Sequence, residues 1–464
     1  MAFGLVLMYY LARMRHFLHT ITDMIYDVIK ADKKKPGQRF LLWMSMAGLL
    51  VYIIYYGSFV YKYLGLNKVL AFTIYIWPIW LPIMLLIVFV RYWLRYIRTY
   101  AIAKDGNVLL ELRLPQETNK TPLAMEIFLT ALYQTGSVTK WEAFWDGKGK
   151  PWFSLEMVSL EGKVRFFIWA PKKFKNLIES QLYAQYPTLE IYESKDYASA
   201  FNYEESTHTI WGTYFKLTEK DVYPIKTYVD YGMDRPGDKE EFKTDPMTSV
   251  VEYLGSIGPG EQVWIQIMIQ AHTKEGWVHG RLREREDWKN DIDKEVEEIR
   301  KSTQTPLEDG GYSFPNPTPG QIEKIKALER SKGKFPFDTA IRGFYIAEKS
   351  VFNPINITGL IGSFRQYSSN NLNGFKLGWF TDFDYSRVED LARKRRTYME
   401  EELLMAYKRR SFFHPPYKNF HGKPMILMTE ELATIYHLPG GVSQTPTFER
   451  IMSKKAEPPQ NLPI

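Results

Sequence analysis

Two stretches of this chain run for 22 positions each without a charged residue, Phe40 to Tyr61 and Val69 to Val90. A helix needs about 20 predominantly apolar residues to cross the hydrocarbon layer of a bilayer, so both read as membrane-spanning helices. Trp and Tyr toward their ends suit interfacial anchoring, and Pro78 and Pro82 predict a kink in the second. The turn between them, Lys62 to Lys68, is short enough only for a hairpin. Lys30, Lys33, Lys34, Lys35 and Arg39 precede the first run, and Arg91, Arg95, Arg98 and Lys104 follow the second. With only Lys62 and Lys68 at the tip, this charge bias puts both termini on the cytoplasmic side. Residues 37–100 are thus expected as a transmembrane hairpin, with spans near 40–61 and 69–90. Before it, Leu7, Leu11, Met14, Leu18, Ile21, Ile25 and Val28 recur at helical spacing, predicting an amphipathic helix over 1–36.

Beyond the hairpin the apolar period falls from helical to two. Val108, Leu110, Leu112 and Leu114 alternate with polar residues as in a half-buried strand. Thr121-Pro122 opens a helix, Phe153, Leu155 and Met157 mark a second strand, and Glu161-Gly162 turns into a third through Val164, Phe166 and Ile168. Pro171 begins a further helix that stops at Pro187, and Leu189 to Glu193 closes the series. The order is β-α-β-β-α-β, the ferredoxin-like signature, over residues 101–200.

The order recurs over 201–382, with strands at Thr209 to Leu217, Gln262 to Ala271, Thr339 to Glu348 and Phe375 to Trp379. Helices open at Asp245-Pro246 and Asn353-Pro354. A helical insertion, 274–334, separates the middle strands. A long helix from Tyr385 to Arg410 and a tail then make up a C-terminal extension over 383–464. The expected fold class is an α+β membrane protein: a two-helix transmembrane hairpin, tandem ferredoxin-like domains and a helical C-terminal extension.

Chemistry is sparse. The chain has no cysteine, which excludes disulfides, thiol nucleophiles and Cys-ligated metal. There is no GxxxxGK[ST], HExxH or GxSxG sequence, and His272 and His279 lack a third ligand at a usual spacing. No catalytic residue, cofactor or metal is therefore expected. Arg342-Gly343-Phe344 sits on the third strand of the second repeat, where an RNA-recognition domain carries its basic-Gly-aromatic motif. Tyr345, Ile346 and Ala347 depart from that motif, and a one-face-buried strand explains the alternation. The net charge of +7 fits a basic collar. Arg393, Lys394, Arg395, Arg396, Lys408, Arg409 and Arg410 are the candidate nucleic-acid contacts, although mixed charge on a helix more often forms a solvated face or a subunit contact.

Several segments resemble one bacterial family: Pro151-Trp152-Phe153-Ser154-Leu155-Glu156, Arg165 to Pro171, Gln181 to Pro187, Asp245 to Ser249, Gly258 to Ile267, and Thr429 to Gly440. They look like the membrane-anchored N-terminal module of type IV secretion and conjugative-transfer-like ATPases of the HerA/FtsK type, in versions found in candidate-phylum bacteria. In fused relatives, a stretch similar to Glu457 to Pro463 leads into the motor domain. Here Ile464 comes first, so either the motor is on a separate protein or the chain is a truncated or diverged member. The resemblance implies a non-enzymatic scaffold at the bacterial inner membrane that docks such a motor. It also implies a homo-oligomer, with nucleic acid as one cargo; the alternative is a membrane-tethered nucleic-acid-binding protein. Candidate partner-binding residues are Glu430, Glu431, Tyr436, His437, Pro458, Pro459 and Leu462.

Overall fold

The computed structural model describes residues 75, 77–113, 120–136, 138–234, 244–278, 281–285, 287–304, 313–382, 395–414 and 416–439. Two compact units divide the chain, Met1–Arg91 and Tyr92–Ile464. The amphipathic helix expected over 1–36 and the first expected span lie outside the described residues. So do residues 69–74 and 76 of the second span.

The described chain opens with helix α1 (Trp77–Asp105), in which Ile79 and Ile83 to Phe89 are mostly exposed. Within the described residues its uncharged part runs from Trp77 to Val90. From there Arg91, Arg95, Arg98, Lys104 and Asp105 bring charge onto the helix. Among the described residues no helix is long and apolar enough to cross a membrane.

In the second unit, strand β1 (Asn107–Arg113) is followed by helices α2 (Leu123–Ala131) and α3 (Lys140–Trp145). A hairpin of β2 (Trp152–Leu160) and β3 (Lys163–Pro171) turns at Glu161-Gly162, both at positive φ. Helix α4 (Lys175–Gln185), strand β4 (Glu190–Glu193) and the short α5 (Tyr197–Ala200) complete the first half. The second half runs β5 (His208–Leu217), α6 (Met247–Gly255), β6 (Glu261–Ala271), a small β7 (Lys274–Val278) and β8 (Arg281–Arg285) ribbon, α7 (Asp287–Ser302) and α8 (Pro319–Lys332). Then come β9 (Pro336–Glu348), α9 (Pro354–Ser363), β10 (Phe375–Phe380), α10 (Arg395–Lys408), β11 (Met425–Met428) and α11 (Thr429–Ile435).

One nine-stranded sheet runs through both halves in the order β10-β5-β9-β6-β2-β3-β1-β4, with β11 paired to the start of β9. All of its pairings are antiparallel. Each half contributes its strands as fourth, first, third, second. The second strand of such a set is an edge with unpaired backbone groups. Here the two second strands, β2 and β6, satisfy each other over nine pairs from Trp152↔Gln270 to Leu160↔Gln262. This corrects the expected class: the described chain is a mixed α/β fold on a single large antiparallel sheet, in place of a membrane hairpin carrying separate domains. The C-terminal elements are likewise part of that fold and not an extension.

Both faces of the sheet are covered, which is why alternation suggested only half of its burial. Leu110, Phe153, Leu155, Ile168, Ile265 and Ile341 lie on one face, beneath apolar side chains of α2, α4, α6, α9 and α11. Trp169, Ile210, Trp264, Met268, Phe344 and Ile346 lie on the other, packed against Leu403, Leu404 and Tyr407 of α10 and against Phe412 and Phe413. Each fully buried large apolar side chain contributes about 1.5–3 kcal/mol. The insertion helices α7 and α8 pack through Trp288, Ile292, Val296, Ile325 and Leu328 onto Met428.

Candidate functional site

A single row crosses the middle of the α10-covered face: Glu156 on β2 stands opposite Gln266 on β6, Gln266 opposite Arg342 on β9, and Arg342 opposite Tyr214 on β5. All four are buried. Gln266 Nε2 donates to Glu156 at 3.0 Å, and Arg342 donates to Gln266 Oε1 at 3.1 Å and to the Tyr214 hydroxyl at 2.8 Å. Arg342 also donates to the carbonyls of Ala406 and Ser411 at 2.9 and 2.5 Å. Arg410 closes the row with two bonds to Glu156, at 3.0 and 3.1 Å, and two to Asp196, at 2.6 and 2.9 Å. Burial opposes the charge on Arg410, but these two carboxylates outweigh it and hold the guanidinium well above its ordinary value. Arg342 faces no carboxylate bond, and burial lowers it. Arg410 is saturated, and with every neighbour satisfied the row acts as a lock between sheet and helix.

An open site lies beside it. A cavity of about 690 Å³ is bounded by the C-terminal half of α1, the 134–151 loop and the ends of β1 to β3. The local sequence builds its walls. Thr139 caps α3 with its hydroxyl on the Glu142 N–H at 3.2 Å, and the Glu142 carboxylate accepts the Thr139 N–H at 3.1 Å. Trp93 on α1 ties the two helices by donating to the Phe144 carbonyl at 2.9 Å. Gly147, at φ +65°, lies so close to α1 that a Cβ there would stand 2.3 Å from the Ile97 carbonyl oxygen. Only glycine fits that approach.

Trp145, Trp152, Trp169, Phe174 and Tyr100 supply aromatic surface to the lining. Trp152 packs on Trp169 and His414, with ring centroids 5.3 and 4.7 Å away, and donates to the Arg410 carbonyl at 2.9 Å. Burial, then the nearby Arg98 charge, pushes His414 down to about 4, so its ring is neutral at pH 7.

Five cationic side chains line the cavity against two carboxylates. Three of the cations are engaged: Lys173 with Asp105 at 3.0 Å, Lys148 with Glu142 at 2.9 Å, and Lys150 with the Thr273 carbonyl at 3.0 Å. Among the described residues no carboxylate bonds Arg98 or Lys104, and Arg98 Nε is shut off from solvent without a hydrogen-bond partner.

The residues singled out in the sequence lie elsewhere. Glu430 is buried, taking the Thr227 hydroxyl at 2.6 Å and Arg330 at 3.0 Å. Glu431 is buried and accepts the N–H groups of Ile225 and Met428 at 2.9 and 2.8 Å; burial pushes it up to about 8. Tyr436 donates to the Phe167 carbonyl at 3.0 Å, and His437 pairs with Asp245 at 3.1 Å, both in the core. Of the basic set, Arg396 pairs with Glu400 and Asp382, Lys408 donates to the Phe201 carbonyl, and Arg410 sits in the lock. Arg409 is exposed beside the Tyr417 ring, and Arg395 opens α10. Pro458, Pro459, Leu462, Arg393 and Lys394 lie outside the described residues, and Arg342 and Phe344 are buried under α10. Sequence reasoning read Arg98 and Lys104 only as charges flanking a span. The usable signal was Gly147-Lys148-Gly149-Lys150, an alternation that lets a basic loop approach backbone closely.

Compared with known families, the chain matches the model described as Domain of unknown function (DUF8128) over residues 102–450. That match takes in more than half of the chain, which therefore belongs to this family. It covers the whole nine-stranded sheet but begins past Arg98. No curated protein matches the chain.

Proposed function

Taking membership of that family as the premise, we propose that the protein is a non-enzymatic scaffold that docks a separate motor ATPase in a type IV secretion-like apparatus. The resemblance of Pro151 to Glu156, Gly258 to Ile267 and Thr429 to Gly440 to anchored modules of such motors supplies the setting. One observation carries the docking role: an exposed aromatic array on α1 and α3. Trp141, Tyr96, Tyr100 and Trp145 are 73, 63, 53 and 46% exposed, and neighbouring rings lie 5.5 to 6.4 Å apart from Trp141 through Trp145 and Trp93 to Tyr96 and Tyr100. Trp, Tyr and Arg dominate interface hot spots, and Arg95 and Arg98 lie on the same helix. This moves the contact away from Glu430, Glu431, Tyr436 and His437, whose side chains serve the core.

The test is co-purification of the full chain with a motor ATPase encoded beside it. Replacing Trp141 and Tyr96 together by Ala should abolish recovery of the motor, whereas Arg409→Ala should not. Failure to recover any motor, or undiminished recovery with the double variant, would sink the reading.

A further inference from the structure

We propose that the cavity between α1 and the 134–151 loop is a binding site for a phosphate ester with an apolar or aromatic body. Three observations converge. The volume, about 690 Å³, lies within the roughly 300–1,000 Å³ range of small-ligand sites. Its walls are aromatic, with three tryptophans among the lining residues. Its unspent polar capacity is cationic: Arg98 has an unpartnered Nε closed to solvent, and Lys104 has no carboxylate bonded to it among the described residues. A buried N–H left without an acceptor is costly, and a planar guanidinium matches a phosphate better than an ammonium does.

The geometry also says where in the cavity the anion belongs. The C-terminal end of α1, at Asp105 and Gly106, carries the negative end of the helix dipole. Lys104 and the Lys173–Asp105 pair offset that end without making it attractive. Arg98 stands seven residues back along the helix, about 10 Å away, beside the neutral His414 ring and beneath the close-packed Gly147. The phosphate therefore sits against Arg98, with Lys104 as a secondary contact. The organic body lies along Trp152, Trp169 and Phe174.

A phosphate of this description comes either from a soluble ester or from a phospholipid headgroup, and the experiment separates them. Tryptophan fluorescence and calorimetry on the full chain would be run with inorganic phosphate, glycerol 3-phosphate and AMP. Sedimentation would be run with vesicles of phosphatidylglycerol and, as control, phosphatidylcholine. Saturable binding of a soluble ester identifies a free ligand; binding confined to phosphatidylglycerol vesicles identifies a headgroup. In either case Arg98→Gln should weaken binding at least tenfold, Arg98→Lys should recover part of it, and Arg409→Ala, exposed and outside the cavity, should leave it unchanged. Absence of saturable binding with every probe, or binding that survives Arg98→Gln in a variant with unaltered melting, overturns the proposal. The motor co-purification reads a different partner, so either idea can fail alone.

Discussion

Trp152 donates to the carbonyl of Arg410 and shares a cavity wall with Arg98, yet these two arginines are in opposite states. Arg410 is buried and spends its guanidinium on Glu156 and Asp196. Arg98 keeps an Nε that nothing accepts from. The difference is one of neighbours: the sheet places Glu156 in the central row, where α10 delivers an arginine to it, whereas the carboxylates near Arg98 are claimed by Lys148 and Lys173. A saturated cation holds a fold together. Arg98 instead stands on a cavity wall with no carboxylate bonded to it among the described residues.

The comparison breaks most visibly at Arg410. Arg410→Met leaves two carboxylates without their cation, and loss of one partner of a buried pair costs about 3–5 kcal/mol. Chemical denaturation should show a loss of that size, and replacing Glu156 by Gln in the same chain should return part of it. A loss under about 1 kcal/mol would mean that the row is not a lock.

Glu431 sharpens the contrast from the acidic side, as a buried carboxyl held by backbone N–H groups alone. Unfolded, it titrates near its ordinary 4.5, whereas folded it titrates at about 8. Between those values the folded chain keeps a proton that the unfolded chain has lost. Stability therefore falls as pH rises from 4.5 to 8, by at most about 1.4 kcal/mol per pH unit. Glu431→Gln should flatten that slope in unfolding measured from pH 5 to 8; parallel profiles would show that this carboxyl does not set it. The smallest effect belongs to Arg98→Gln, expected within about 0.5 kcal/mol of the parent in melting experiments, because no bond of its Nε is lost. A loss above about 2 kcal/mol would place Arg98 with Arg410 as a structural group.

Individual elements were legible in the sequence because period-two alternation and turn residues act locally. Val108 to Leu114 read as a strand and Asn107–Arg113 forms one; Thr339 to Glu348 read as a strand, and β9 extends it back to Pro336. The β2–β6 seam was not legible, since no local pattern says which edge meets which. Arg410 looked like a solvent-facing basic cluster because its partners, Glu156 and Asp196, lie more than two hundred residues away in sequence. Glu430 and Glu431 looked like surface charge for the same reason, with Thr227 and Ile225 about as remote. The cavity was hidden because α1 read as the flank of a membrane span, and its other wall comes from a loop whose closeness depends on Gly147.

The β2–β6 seam also joins the two halves in a manner that identical copies could share. It pairs the second strand of one half with the second strand of the other, antiparallel, which is the arrangement that two identical copies adopt about a twofold axis. If the backbone were cut between Tyr203 and Thr207, each fragment would expose a nine-residue ribbon able to accept its missing partner or another copy of itself. Keeping both halves on one polypeptide settles that competition in advance, because the tether makes the correct partner far more concentrated than any stranger.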